Sequence, residues 1–169
     1  MESSAEIKKE KLEPWGIGGW LILIVLGLAF SALTSGIYIL NDLSVFFLDK
    51  ESWDYVTSPE TGIPGLSYGL IYELIFHSLI TIGSIYMIVI MYKMKKYFPI
   101  RLTIFWILIL VMNLINIIYT LSIYSQIPEF DLASAQQGIW DSIIRNFLTC
   151  IIWIPYLFKS KRVKNTFIL

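Results

Sequence analysis

Four long apolar stretches alternate with short polar segments along the chain. The apolar stretches cover residues 16–40, 68–92, 101–124 and 135–158. An α-helix rises about 1.5 Å per residue, so each stretch is long enough to cross the roughly 30 Å hydrocarbon core of a bilayer. Backbone N–H and C=O groups find no partners in lipid, which makes the helix the required conformation. The pattern predicts an all-α, polytopic membrane protein built as a four-helix transmembrane bundle.

The segments that separate these stretches differ in charge. Residues 93–101 and 159–169 carry lysine and arginine without any acid, whereas residues 41–67 and 125–134 are acidic. Basic segments resist translocation, so the two basic segments and the lysine-bearing N-terminus are expected in the cytoplasm. Four crossings place all three there, which predicts a multi-pass protein with both termini cytoplasmic.

The pattern divides the chain into three parts and adds one interfacial element. The parts are a cytoplasmic N-terminal segment, 1–15, a four-helix membrane domain, 16–158, and a basic cytoplasmic tail, 159–169. Apolar side chains between the first two stretches predict a short outer-loop helix that lies on the outer leaflet. These side chains are Leu43, Phe46, Phe47 and Trp53.

Composition supports a membrane location. Hydrophobic residues make up 56% of the chain, charged residues only 15%, and the mean hydropathy is +0.67, which is unlike a soluble domain. The 13 basic and 13 acidic residues cancel, so no nucleic-acid partner is predicted. The single cysteine, Cys150, lies in an apolar run and is interpreted as a packing residue. The expected surroundings are therefore the lipid bilayer and its anionic headgroups.

Two pairs of polar residues interrupt the second and fourth apolar stretches. Glu73 and His77 are four residues apart, as are Asp141 and Arg145, so each pair shares one helix face. An arginine near the bilayer midplane costs roughly 2.5–3.5 kcal/mol on insertion scales. We therefore expect Arg145 to face the bundle and to pair with Glu73 or Asp141.

Other stretches place polar side chains at a similar depth, including Ser31, Thr34 and Ser35 of the first. The candidate ligand-binding residues are Glu73, His77, Asn113, Asn116, Asp141 and Arg145. One interpretation is that these groups only fasten the helices together. A second is a pocket that binds a small polar or anionic ligand, or that relays a proton through Glu73 and His77. A third is that Glu73 and Asp141 are simply solvated near the surface.

Enzyme and metal signatures are absent from the sequence. It contains no G-x-S-x-G, no H-E-x-x-H, no phosphate-binding glycine loop and no Cys-x-x-Cys. We therefore predict no catalytic residues, although a membrane-embedded enzyme that uses Glu73 or His77 as an acid or base remains a weaker alternative. Because His77 is the only histidine, a metal site would need carboxylates from neighbouring helices, and neither a metal nor a cofactor is predicted.

The C-terminal stretch combines a proline with a basic tail. Pro155 should kink or end the last helix. The bases that follow should contact anionic headgroups at about 1 kcal/mol each, or dock a cytoplasmic partner. These bases are Lys159, Lys161, Arg162 and Lys164.

Both ends of the chain resemble a known family. The opening W-G-I-G-G-W-L-I-L and the tail I-W-I-P-Y-L-F-K-S-K-R-V-K-N-T-F are similar to the family called domain of unknown function 2569. The resemblance implies a bacterial inner-membrane protein of four helices, without any known activity. It also implies that Arg145, upstream of the W-x-P-Y run, matters for structure or function.

Two function classes remain open. The first is a non-enzymatic membrane protein that acts by association, as a homo-oligomer or as an accessory to a membrane-protein partner. The second is a small transporter or a binding pocket for a polar or anionic ligand, lined by Glu73, His77, Asp141 and Arg145. A tightly packed bundle with Arg145 paired would favour the first, and a cavity that reaches Arg145 would favour the second.

Overall fold

All secondary structure in the described part of the protein is helical. The structure is a computed structural model and describes residues 15–59, 63–126 and 132–167. The helices are α1 (Trp20–Tyr38), α2 (Ser44–Leu48), α3 (Lys50–Thr57), α4 (Leu66–Tyr92), α5 (Phe98–Tyr124), α6 (Leu132–Lys159) and α7 (Lys161–Thr166). A π-helical segment, Ile39–Leu43, joins α1 to α2. The predicted all-α class is confirmed.

Three helices in the described residues are long and apolar enough to cross a membrane. They are Trp20–Leu48, Leu66–Tyr92 and Phe98–Ile123, with 29, 27 and 26 residues. The fourth long helix, α6, has 28 residues, but Asp141 and Arg145 make it more polar than the other three. The fold is therefore that of a helical membrane protein with three candidate membrane-spanning helices.

The first helix differs from the predicted stretch 16–40 at both ends. It begins at Trp20 because Gly16 and Gly19 have φ angles of 82° and 57°, a left-handed conformation that glycine adopts without strain and that a right-handed helix excludes. At the other end the helix does not stop near residue 40 but continues to Leu48.

The π-helical segment explains this extension. Asn41 and Asp42 resemble a helix end in the sequence, yet a π turn absorbs an extra residue without ending the helix. Beyond them, Leu43 is 1% exposed and packs in a small core with Val56 and Leu70. Polarity at Asn41 and Asp42 therefore marks a change in helical geometry and not the start of a loop.

The predicted outer-loop helix is not confirmed. Of its four apolar residues only Trp53 lies in α3, and the other three belong to the extension of α1. The Asp49 carboxylate accepts hydrogen bonds from the backbone N–H and the hydroxyl of Ser52, at 2.9 and 2.6 Å, and thereby caps α3. These bonds hold the pKa of Asp49 below its usual value. The location of α3 on the outer leaflet stays a prediction.

The long helices pack in a row and define two ends. α1 contacts α4, α4 contacts α5, and α5 contacts α6. The end where α4 stops, α5 starts and α7 lies is called the basic end, and the opposite end, near α3, is called the acidic end. The bases at the basic end are Lys93, Lys95, Lys96, Lys159, Lys161, Arg162 and Lys164.

The main apolar core lies at the basic end, where all four long helices and α7 contribute buried side chains. Here α1 and α6 meet through Trp20 and Trp153, whose ring centroids are 6.0 Å apart. Further toward the acidic end a cavity lies between α1 and α6. α1 and α6 are therefore in contact at the basic end and are separated by a cavity farther toward the acidic end.

α4 and α5 approach each other closely at Gly83. A Cβ atom at this position would lie 2.4 Å from Cε2 and 3.0 Å from Cζ of Phe105. Small residues allow membrane helices to pack at such short range. Gly83 therefore fixes the spacing of α4 and α5 and leaves the ring of Phe105 in the main core.

The two chain ends form one contact, called the terminal clasp and made of residues 15–19 and 161–167. The Gly16 N–H donates to Thr166 Oγ1 at 2.9 Å, and the Thr166 hydroxyl donates to the Arg162 carbonyl at 2.7 Å. Phe167 packs on Phe98 with ring centroids 4.6 Å apart. The predicted basic tail is therefore a folded helix whose apolar side is buried.

The four bases predicted to contact lipid headgroups have different surroundings in the structure. Lys159, Lys161 and Lys164 are exposed, whereas the Arg162 guanidinium donates to the Trp15 carbonyl at 3.5 Å. Arg162 thus binds the protein itself. Of the predicted N-terminal segment 1–15, all but Trp15 lie outside the described residues.

Candidate functional site

A cavity of about 330 Å³, called the arginine cavity, lies between α1, α4, α5 and α6. Its polar lining comes from all four helices, because each carries small or amide side chains in an otherwise apolar run. The polar residues in its lining include Ser35, His77, Ser84, Asn113, Arg145 and Asn146. An opening of this size has room for a small ligand with its water.

The walls of the arginine cavity contain polar atoms without partners. Nδ1 of His77 and Oγ of Ser84 are buried and make no hydrogen bond with any described residue. Each such atom costs about 1–3 kcal/mol of desolvation. Asn113 accepts a hydrogen bond from the Ser142 hydroxyl at 3.2 Å through Oδ1, which directs its amide N–H group elsewhere. Residues around the cavity therefore carry hydrogen-bonding groups that no described residue satisfies.

Arg145 supplies the only charge among the described residues that line the arginine cavity. Its side chain is exposed, and within residues 15–59, 63–126 and 132–167 it forms no ion pair with Glu73 or Asp141. The predicted pairing is wrong, because Glu73 is turned toward another partner and Asp141 is exposed one turn earlier on α6. A cation beside uncharged polar groups suits an anionic ligand.

A second cavity of about 220 Å³, called the glutamate cavity, lies nearer the acidic end. Its lining includes Glu73 of α4 together with Asn116, Tyr119 and Thr120 of α5. The Tyr119 hydroxyl donates to the Gly65 carbonyl at 2.7 Å and closes part of the rim. Glu73 is the only charged residue described in this lining, so this cavity is acidic where the first is basic.

Tyr38 connects the two cavities. Its hydroxyl donates to Oε2 of Glu73 at 2.6 Å, and its ring packs on the ring of His77 with centroids 4.4 Å apart. Glu73 and His77 are one turn apart on α4, so a single tyrosine of α1 contacts both. We call these three residues the Tyr38 bridge.

The structure thus divides the predicted ligand-binding cluster. His77, Asn113 and Arg145 line the arginine cavity, Glu73 and Asn116 line the glutamate cavity, and Asp141 lines neither. Ser31, Thr34 and Ser35 of α1 also face the arginine cavity. Sequence reasoning missed Tyr38, Ser84 and Asn146, since a tyrosine, a serine and an asparagine beside apolar residues are ordinary in membrane helices.

Fold and site together define an α-helical membrane protein with polar cavities between its helices. The family described as "Protein of unknown function (DUF2569)" matches residues 14–168, and the chain belongs to this family. The match confirms the resemblance of the two chain ends and extends it over the helices between them. No curated protein and no solved structure matches the chain.

Proposed function

We propose that the protein crosses the bacterial inner membrane four times and binds a small anionic ligand in the arginine cavity. The observation that carries this proposal is Arg145, which is exposed, forms no ion pair with any described residue and lines a cavity. Among the other described lining residues only His77 can carry a charge. A guanidinium at membrane depth needs an anion or water for stability. The role is binding or transport without a chemical step in the protein.

The packing of α6 supports a fourth crossing. α6 runs beside α5 in the opposite direction, with Ser142 against Asn113 and, at the other end, Phe167 of the terminal clasp against Phe98. Its 28 residues are as long as a membrane span requires. Four of its polar residues line the arginine cavity, namely Ser142, Arg145, Asn146 and Thr149.

The position of the basic segments supports an orientation. Residues 93–97 and α7 both lie at the basic end, which the positive-inside rule assigns to the cytoplasm. The exposed Lys159, Lys161 and Lys164 would then face anionic headgroups.

Reporter fusions test the topology. A reporter after Leu169 and one within 93–101 should both report cytoplasm, and a reporter near Asp54 should report the outside, because basic segments resist translocation. The measurement is the ratio of a cytoplasmic to a periplasmic reporter activity at each site. An exported 93–101 fusion would contradict the four-crossing topology.

Charged thiol reagents test the anion site. Cys150 is the only cysteine, so Cys150→Ser provides a background into which Ser31→Cys, in the wall of the arginine cavity, is introduced. Anionic methanethiosulfonate reagents should react faster than cationic ones of similar size, on the order of tenfold, because Arg145 attracts the anion. Arg145→Gln should remove the preference.

Thr120→Cys in the glutamate cavity is the matched control, and we expect it to show no preference for the anionic reagent. Equal reaction rates of both reagents at Ser31→Cys, or no reaction with either, would overturn the anion-binding proposal.

Association in the membrane is the second candidate function. It is supported by Asp141 and Trp140, which are exposed on α6 although they occupy a membrane-facing helix in the proposed topology. In an oligomer Asp141 of one copy would pair with Arg145 of another. Asp141→Asn would then weaken the oligomer, measured by analytical ultracentrifugation in detergent, and ligand binding alone would leave the oligomeric state unchanged.

A further inference from the structure

The side chains of the Tyr38 bridge lie between the two cavities. Tyr38 and Glu73 line the glutamate cavity and His77 lines the arginine cavity, and contacts within the Tyr38 bridge join all three. The bridge therefore stands between an acidic compartment near the acidic end and a basic compartment deeper in the bundle. His77 is the titratable member on the arginine side.

We propose that the arginine cavity takes up one proton, on His77, together with each anion, and that the Tyr38 bridge sets the pH range of this coupling. The inference rests on the proposed anion site and adds its regulation. The proton comes from water and binds the His77 imidazole, and the anion enters beside Arg145. One positive and one negative charge enter together, so the net charge in the bundle does not change.

Charge repulsion supplies the coupling. A protonated His77 and Arg145 would be two cations on the wall of one cavity, and their repulsion disfavours the proton while the cavity holds no anion. An anion between them removes this repulsion and favours protonation. By thermodynamic reciprocity the proton then strengthens anion binding by the same factor.

The neighbours of His77 decide how readily it takes the proton. Its own helix contributes Glu73, whose carboxylate one turn away stabilises an imidazolium. α1 contributes Tyr38, α6 contributes Arg145 across the cavity, and the residues of α5 that line the cavity are uncharged. The Tyr38 hydroxyl donates to Oε2 of Glu73 and thereby fixes the position of this carboxylate. Tyr38 thus acts on His77 through Glu73 as a positioning residue.

The test follows reagent preference at Ser31→Cys, in the full-length Cys150→Ser background, from about pH 5 to about pH 8, where histidine ordinarily titrates. The ratio of anionic to cationic reaction rates is measured, because the ionisation of the thiol cancels in it. We expect this ratio to fall on the order of tenfold as the pH rises and the His77 charge is lost. In His77→Gln the ratio should equal the high-pH value at every pH.

Tyr38→Phe keeps the ring contact with His77 and removes the hydroxyl. Its expected result is a pH dependence whose midpoint lies at lower pH, since a Glu73 carboxylate that Tyr38 no longer positions supports the imidazolium less well. A purely structural role for Tyr38 would leave the midpoint in place, and an unchanged midpoint would remove Tyr38 from the coupling.

The two proposals fail in different ways. A constant ratio above one across the whole pH range, or a pH dependence that persists in His77→Gln, overturns the proton coupling while the anion site stands. A ratio of one at every pH overturns the anion site itself.

Discussion

Replacement of Gly83 by leucine should abolish the folded helix bundle. A Cβ at Gly83 would lie 2.4 Å from the Phe105 ring, which is 7% exposed and belongs to the main core. The ring must therefore leave the core toward the arginine cavity, which it lines, or the two helices must separate. Overpacking by a single methyl costs about 1–3 kcal/mol, and leucine adds three further carbons. Gly83→Leu should yield little monodisperse protein on size-exclusion chromatography. Gly83→Ala should fold with a clearly lower Tm in detergent.

Gly27→Ala is the matched control. Gly27 also lies within a long apolar helix, but a Cβ there meets no atom within 4 Å, and alanine favours helix over glycine. Its Tm should equal or exceed that of the wild type. Phe105→Leu added to Gly83→Ala should restore part of the lost stability, because the two changes relieve one contact. A wild-type Tm for Gly83→Ala would contradict the close approach of α4 and α5.

Phe167→Ala should destabilise the protein almost as strongly. Phe167 is 6% exposed and packs on Phe98 in the terminal clasp, with ring centroids 4.6 Å apart. Truncation of a buried phenylalanine costs about 3–5 kcal/mol in well-packed cores. The measurement is the Tm in detergent, together with protease sensitivity of the tail, which should rise when α7 leaves the bundle.

Phe158→Ala provides the comparison for the terminal clasp. Phe158 lies nine residues upstream and is 47% exposed, so its truncation removes mostly lipid-facing area and should change the Tm little. Equal losses from the two substitutions would show that α7 does not depend on its buried side, and the terminal clasp would then have no stabilising role.

Hydrophobic length predicted the fold class but not the helix geometry. A run of more than 20 apolar residues leaves the helix as the only conformation in lipid, and all secondary structure in residues 15–59, 63–126 and 132–167 is helical. The sequence gives no comparable signal for the π segment Ile39–Leu43, because Asn41 and Asp42 are common at helix ends. The terminal clasp was hidden for another reason, since hydropathy does not report contacts between distant parts of a chain.

The sequence predicts the depth of the site's side chains in the membrane but not the direction in which each side chain points. Position along the apolar stretches predicts matching depths for Glu73 and Asp141 and for His77 and Arg145, but a helix has a full circle of directions at each depth. Glu73 contacts Tyr38, and Arg145 lies across the other cavity. Which acid meets which base depends on the rotation of each helix about its axis, and a single sequence does not contain that angle.

The terminal clasp also dictates an order of assembly. Gly16 and Thr166 are 150 residues apart, so their hydrogen bond forms only after Thr166 and all the long helices have been synthesised. At about 5–20 residues per second, α1 exists for roughly 6–25 seconds before synthesis reaches Lys161, where α7 begins. During that interval α1 can already pack on α4, and the last helix must find a half-built bundle. Any insertase that holds α1 would therefore have to release it to the emerging α7.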